Sequence, residues 1–221
     1  HRSVSSAEIA ARLPMLRPDG ITEAFEAEGA GMLFASRIVT ALARWLDEAG
    51  VALHPHSRVS DVDAEAGRFT VNGERRSADM VAIAAGAWLP AIYPAARPRL
   101  TPSRQVMLYL EPPAELAAAW AAAPVLVDQG LTHGGYILPP RGGTRLKLGD
   151  HVFTRRGDGS DDRIATAEDV AVVTTAAGEI FAGFERYRLL EAKVCYYTVT
   201  DDERFVVEPI GTKGWLLSAC S

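Results

Sequence analysis

The run "RLKLGDH", Arg145 to His151, alternates polar and apolar residues through Leu148. Successive side chains of a β-strand point to opposite faces. Arg145, Lys147, Gly149 and His151 therefore share one face, and Leu146 and Leu148 the other. Such alternation marks an antiparallel sheet with one face buried and one open. The segments "RQVMLYLE" (104–111) and "GGYILPP" (134–140) have the same character, punctuated by proline and glycine. From about Leu100 onward the chain reads as antiparallel sheet, with an Ala-rich helix over Ala114–Ala123 between strands. In "KVCYYTVT" (193–200) the same period puts Cys195, Tyr197 and Val199 on one face. Two strands with polar reactive faces and apolar backs can converge on one cavity, or can simply face solvent. Gly149, between the lysine and the histidine, leaves room for a flat ligand to approach the backbone.

Before Leu100 the pattern differs. Ser6–Leu13 reads as a short helix capped by Ser5 or Ser6 and stopped at Pro14. "SRIVTALARWLDEA" (36–49) is the clearest helix: Ile38, Leu42, Trp45, Leu46 and Ala49 form one apolar stripe, Ser36 offers a cap, and Gly50 closes it. Strands are expected at Val51–His54, Arg58–Ala64, Arg68–Val71 (followed by the turn "NGE") and Met80–Ala84. The run "MVAIAAGAW" is apolar at both parities, as a buried parallel strand would be, and reaches Gly86. Toward the C-terminus, Asp161–Gly183 reads as helical, followed by strands at Leu189–Thr200, Phe205–Glu208 and Trp215–Ala219.

The chain has 221 residues, 48% of them hydrophobic, with a net charge of -5, enough to bury a sizeable core as one large domain or two small ones. No cluster of Lys and Arg exceeds a pair, which argues against a nucleic-acid partner. The stretch Met80–Ala96 is broken by Pro90 and Pro94, so no membrane span is expected. "HRSVSSAEIAARLP" reads as a polar lead into a helix, not as a signal peptide. Cys195 and Cys220 make no disulfide framework, so a reducing, cytoplasmic compartment is expected. Of 23 basic residues only Lys147, Lys193 and Lys213 are lysine. A lysine kept against that bias invites a chemical reason, since arginine cannot supply a compact, protonatable ammonium.

Two patterns are set aside. "GAGMLF" (29–34) approaches a dinucleotide fingerprint, but acidic, alternating residues precede it where a buried strand should stand, and Phe34 occupies the third small position. It reads as a turn. His54 and His56 have no third metal ligand near them in sequence, and His133 beside Gly134 reads as a loop residue.

"GGYILPPRGGTRLKLGDHVF" and "KVCYYTVTDDERFVVEPIGTKGWLLSACS" resemble the monomeric sarcosine oxidase family of flavin-dependent amine oxidases, relatives of N-methyltryptophan oxidase. "GMLFASRIVTALARWLDEAGVALHPHSRV", "ADMVAIAAGAW" and "RQVMLYLE" agree in order, so the resemblance covers essentially the whole chain. It implies that Cys195 carries FAD through a thioether, that Lys147 lies near the flavin and promotes its reoxidation by oxygen, and that His151 and Tyr197 line the substrate pocket. It further places Val59, Gly86 and Trp88 with Cys195 and Lys147 on the cofactor side. The family opens with a strand, a Gly-rich turn and a helix that bind the ADP half of FAD, and continues past Ser221 into a segment that contacts flavin. This chain therefore resembles the middle and later part of such an enzyme, and FAD is not expected on the 221 residues alone. Asp150 beside His151 and Tyr196 beside Cys195 depart from the family pattern and leave the amine open.

The expected fold is α+β. A mixed antiparallel-sheet substrate domain spans residues 1–28 and 98–199, and part of a flavin-binding α/β domain spans 29–97 and 200–221. The expected function is oxidation of a secondary amine or N-methyl amino acid to an imine, with O2 reduced to H2O2. The rivals are a non-catalytic small-ligand sheet domain and a flavin dehydrogenase that uses another acceptor.

Overall fold

The computed structural model describes residues 1–19, 21, 23–128, 134–150 and 152–219. In chain order its elements begin β1 (Arg2–Ser3), α1 (Ser6–Arg12), β2 (Phe25–Glu26), α2 (Ala35–Glu48), β3 (Val59–Asp63), β4 (Arg68–Val71) and β5 (Glu74–Ser77). Then come β6 (Val81–Ile83), α3 (Leu89–Ile92), β7 (Thr101–Glu111), α4 (Ala117–Ala122), β8 (Leu126–Asp128), β9 (Gly135–Leu138) and β10 (Leu146–Asp150). The last are α5 (Ala167–Ile180), β11 (Arg188–Val199), β12 (Val206–Ile210) and β13 (Gly214–Ser218). The chain divides into two compact units, one of residues 1–32, 105–153 and 162–195, the other of 33–104, 154–161 and 196–221.

The first unit is built on a five-stranded sheet in the order β11-β7-β10-β9-β8. β10 pairs antiparallel with both β7 and β9, and β9 with β8. The register sets Leu146 opposite Leu110, Leu148 opposite Leu108 on one side and opposite Ile137 on the other. All five are buried. α5 packs against β10. It starts at a capping box in which Thr166 Oγ1 accepts from the Asp169 amide (3.1 Å) and Asp169 accepts from the Thr166 amide (2.7 Å). Val173, Ala177 and Ile180, at helical spacing, are its buried face. Beside it, Trp120, Phe181 and Tyr187 pack ring to ring, and Trp120 Nε1 donates to Tyr187 Oη at 2.9 Å. The buried indole thus has the partner that burial of an N–H demands. The N-terminal segment is tied to this unit by α1, capped by Ser5, and by a bridge between Leu16 and Phe181.

The second unit holds a three-stranded sheet, β12-β13-β6, in which β6 runs parallel to β13 and β12 antiparallel. A separate antiparallel meander, β3-β4-β5, turns at Asn72-Gly73, both at positive φ, as a two-residue hairpin requires. The core is formed by Ala64, Ile83, Leu89, Ala96, Leu100, Ile210, Leu216 and Ala219.

Several expectations are corrected. Val51–His54 forms no strand: the Val51 amide bonds back to Leu46 O, and Pro55 and a positive φ at His56 follow. Ser36 is not the cap of α2, which starts at Phe34 without a side-chain cap. Its stripe is amphipathic as read, but none of its residues is buried, and Ile38, Leu42 and Trp45 are exposed. β6 is parallel as expected, yet only Ile83 of its three residues is buried. The "GAG" run is a turn after the two-residue strand β2, with Gly29 at φ 75°.

Removing one leucine from the face beneath β10 leaves a cavity that neighbouring strands cannot fill. Leu148→Ala is expected to cost about 2–5 kcal/mol, visible as a lower urea midpoint. A shift of a few tenths would show that this face is not packed.

Candidate active site on the open face of the five-stranded sheet

Burial of the leucines fixes what stands on the opposite face. Lys147 lies opposite Tyr109 of β7 and Leu138 of β9, and Gly149 lies opposite Met107 and Tyr136. Cross-strand partners share a face, so Met107, Tyr109, Tyr136, Leu138 and Lys147 form one surface. Met107 is buried and the other four are half-buried. β11 flanks β7. Its Lys193 ammonium lies 5.4 Å from the Tyr109 ring centroid, on the same surface, and its Val194 is buried behind. Cys195, an exposed thiol, follows.

Lys147 is the chemically distinctive group here. Its ammonium sits 5.2 Å from the centroid of the Tyr136 ring. Burial pulls its pKa below the ordinary lysine value, and interaction with Cys195 acts in the opposite direction. Among the described residues no carboxylate forms an ion pair with it. Arg145 and Lys193 differ. Both lie over Tyr109, at 4.1 and 5.4 Å, and both pair with Glu191 in solvent-facing salt bridges. The Tyr136 phenol is pushed up to about 12, chiefly by burial and secondarily by the charge of Asp150, so it stays neutral at physiological pH.

The structure thus brings Lys147 and Cys195 together in one unit. Tyr197, two residues along β11, is half-buried and falls in the second unit. So do Val59, at the start of β3, and Gly86 and Trp88, which share one 3-10 turn ahead of α3. Gly86 adopts φ 51°, and a Cβ there would meet nothing within 4 Å. Trp88 is exposed. His151 and His133 lie outside the described residues. His54 and His56 join no group of three metal-ligating side chains among the described residues. Tyr136 and Tyr109 were not singled out from the sequence. The available signal was the tyrosine in "GGYILPP", one strand away from a glycine embedded in β10.

Because burial lowers the folded-state pKa of Lys147, the unfolded chain binds more protons between that value and 10.5, and stability rises with pH through this window. At pH 7 the buried ammonium is a net cost. Lys147→Met is expected to raise the urea midpoint at pH 7, with the gain shrinking as pH approaches 10.5. A variant less stable than wild type at pH 7 would contradict this reading.

The family model for FAD dependent oxidoreductases (DAO) matches residues 1–221. No curated protein matches the chain in sequence. Among solved structures, L-proline dehydrogenase from P. horikoshii aligns over 99% of this chain and 58% of its own, with TM-score 0.81 and 16% identity. Glycine oxidase from Geobacillus kaustophilus aligns over 98% of this chain and 56% of its own, with TM-score 0.76 and 20% identity. Fructosyl peptide oxidase from E. terrenum aligns over 98% and 56%, with TM-score 0.77 and 18% identity. The chain therefore spans less than three fifths of the length of these neighbours, and at such identities the likeness is one of fold. No helix among the described residues is long and apolar enough to cross a membrane. With a match from its first residue to its last, the chain belongs to the family of FAD dependent oxidoreductases.

Proposed function

We propose that this chain is part of a sarcosine oxidase-like flavoenzyme that oxidises a secondary amine or N-methyl amino acid to an imine and reduces O2 to H2O2. The observation that carries the reading is the half-buried Lys147 ammonium, set among Met107, Tyr109, Tyr136 and Leu138 on a sheet face flanked by the exposed Cys195 thiol of β11. In this reading the sheet unit is the substrate side, and the unit carrying Val59, Gly86 and Trp88 is the cofactor side.

The residues present fit a flavin. Cys195 presents an exposed thiol at the position proposed to carry the thioether, on the sheet that also holds Lys147. When bound, FAD would supply the two-electron chemistry of amine oxidation. Lys147 supplies positive charge where oxygen gains electrons. A fixed charge in a water-poor site stabilises that developing negative charge far better than it would in water. Tyr109, Tyr136, Leu138 and Met107 share the face with it and leave it half-buried. Positive charge and burial also favour the neutral amine that the reaction requires. His151 and Tyr197 are proposed to line the substrate pocket. In a reducing cytoplasm the Cys195 thiol stays available for attachment.

A dehydrogenase reading has one specific support: a neighbour of the same fold is an L-proline dehydrogenase. Peroxide formation under air by the full-length protein separates the two.

Lys147→Met in the full-length protein is expected to slow flavin reoxidation by about two to three orders of magnitude and to affect flavin reduction much less. Stopped-flow traces with unchanged reoxidation would return Lys147 to an ordinary strand position. For the covalent link, flavin is expected to remain on the protein through acid precipitation. Cys195→Ala should release it, and Cys220→Ala should not. Free flavin in the supernatant of the wild type would leave a non-covalent flavoenzyme as the surviving form.

A further inference from the structure

Gly149 is not explained by its backbone, since it is absent from the described residues with positive φ. What explains it is space. A Cβ added there would lie 2.5 Å from Cζ and Oη of Tyr136 and 2.7 Å from Cε1. Those contacts are far inside van der Waals range, so the Tyr136 ring lies directly across the strand at position 149. The two residues are cross-strand partners in the register of β9 and β10. Lying across Gly149, the ring reaches the diagonal neighbour Lys147 with its face, at 5.2 Å from the ammonium. This is within the range at which an aromatic face attracts a cation. The groups around the ammonium are Tyr136 on β9, Tyr109 on β7 and Cys195 on β11, with Asp150 acting on Tyr136 from β10.

We infer that Tyr136 is a positioning residue for Lys147, and that Gly149 is the notch that lets the tyrosine take this position. The ring face holds the ammonium against the sheet, in place of the carboxylate that an ordinary buried lysine would recruit. A carboxylate would neutralise the charge, whereas the ring leaves it intact and only fixes where it stands. The phenol contributes little to this, so phenylalanine can replace tyrosine and an aliphatic residue cannot. The catalytic consequence rests on the proposed role of Lys147 in oxygen reduction, but the positioning itself does not.

Three lysines in the whole chain make a direct test practical. Reductive methylation with 13C-formaldehyde gives each lysine a dimethylamine resonance, assigned by substituting Lys147, Lys193 and Lys213 one at a time. In the 221-residue protein the Lys147 methyls are expected upfield of those of Lys213, because they lie over a ring face. Tyr136→Phe should keep that displacement, and Tyr136→Leu and Gly149→Ala should abolish it. A Lys147 resonance at the Lys213 position in the wild type overturns the inference, with no variant needing to fold. An unchanged resonance in Tyr136→Leu overturns it as well. In the full-length flavoprotein, Tyr136→Leu should slow reoxidation by about tenfold, more than it slows reduction, with Tyr136→Phe close to wild type. If the upfield resonance is present but Lys147→Met leaves reoxidation unchanged, the oxygen-reduction reading falls and the positioning stands.

Discussion

Leu146 and Leu148 are packed between Leu108, Leu110 and Ile137 of the neighbouring strands, and that packing fixes every side chain on the other face of the sheet. Each buried leucine contributes on the order of 2 kcal/mol through removal of apolar surface from water. A slip of one residue would exchange all of these for Lys147 and Gly149 in the core. The penalty for that exchange is large, so the register is firmly set. The lysine, the tyrosines and the thiol are thus placed by the residues behind them. A functional face built this way can change its chemistry at positions 147, 136 or 195 without disturbing what sets the register.

The cations on that face have unequal electrostatic weight. Arg145 and Lys193 are exposed and share Glu191, so solvent and salt screen them. Lys147 is half-buried among aromatic and aliphatic groups, so its field reaches further into whatever occupies the face. A charge held in such surroundings is a local cost to the fold. Enzymes accept costs of this kind where the charge serves the reaction. The aromatic environment of Lys147 is therefore consistent with function in a way that its neighbours' ion pairs are not.

Elements whose pattern arises within a single strand or helix were legible in the sequence. The alternation around Lys147, the stripe of α2, the Asn-Gly turn and the parallel strand near Val81 all appear close to where they were expected. What escaped depends on partners elsewhere. β5 is the exposed polar run "ERRS", recognisable only from the turn before it, and β8 is three residues long. Val51–His54 has strand-forming residues but no strand to pair with. Gly149 was read as room for a ligand, and the structure fills that room with Tyr136, because the register between β9 and β10 is invisible in either strand alone. Val59, Gly86 and Trp88 rested on resemblance and Tyr197 on strand period as well, and each lies in the second unit.

The burial of Trp120 against Phe181 and Tyr187 also governs what light reports about this molecule. Trp120 is 0% exposed and belongs to the first unit, whereas Trp45, Trp88 and Trp215, at 61, 47 and 39%, belong to the second. Indole emission moves to longer wavelength when water reaches the ring, and three of the four indoles already meet water in the native state. Trp120 therefore has the most to contribute to the red shift on denaturation. Intrinsic fluorescence thus weights the melting of the sheet unit that carries Lys147 over that of the other.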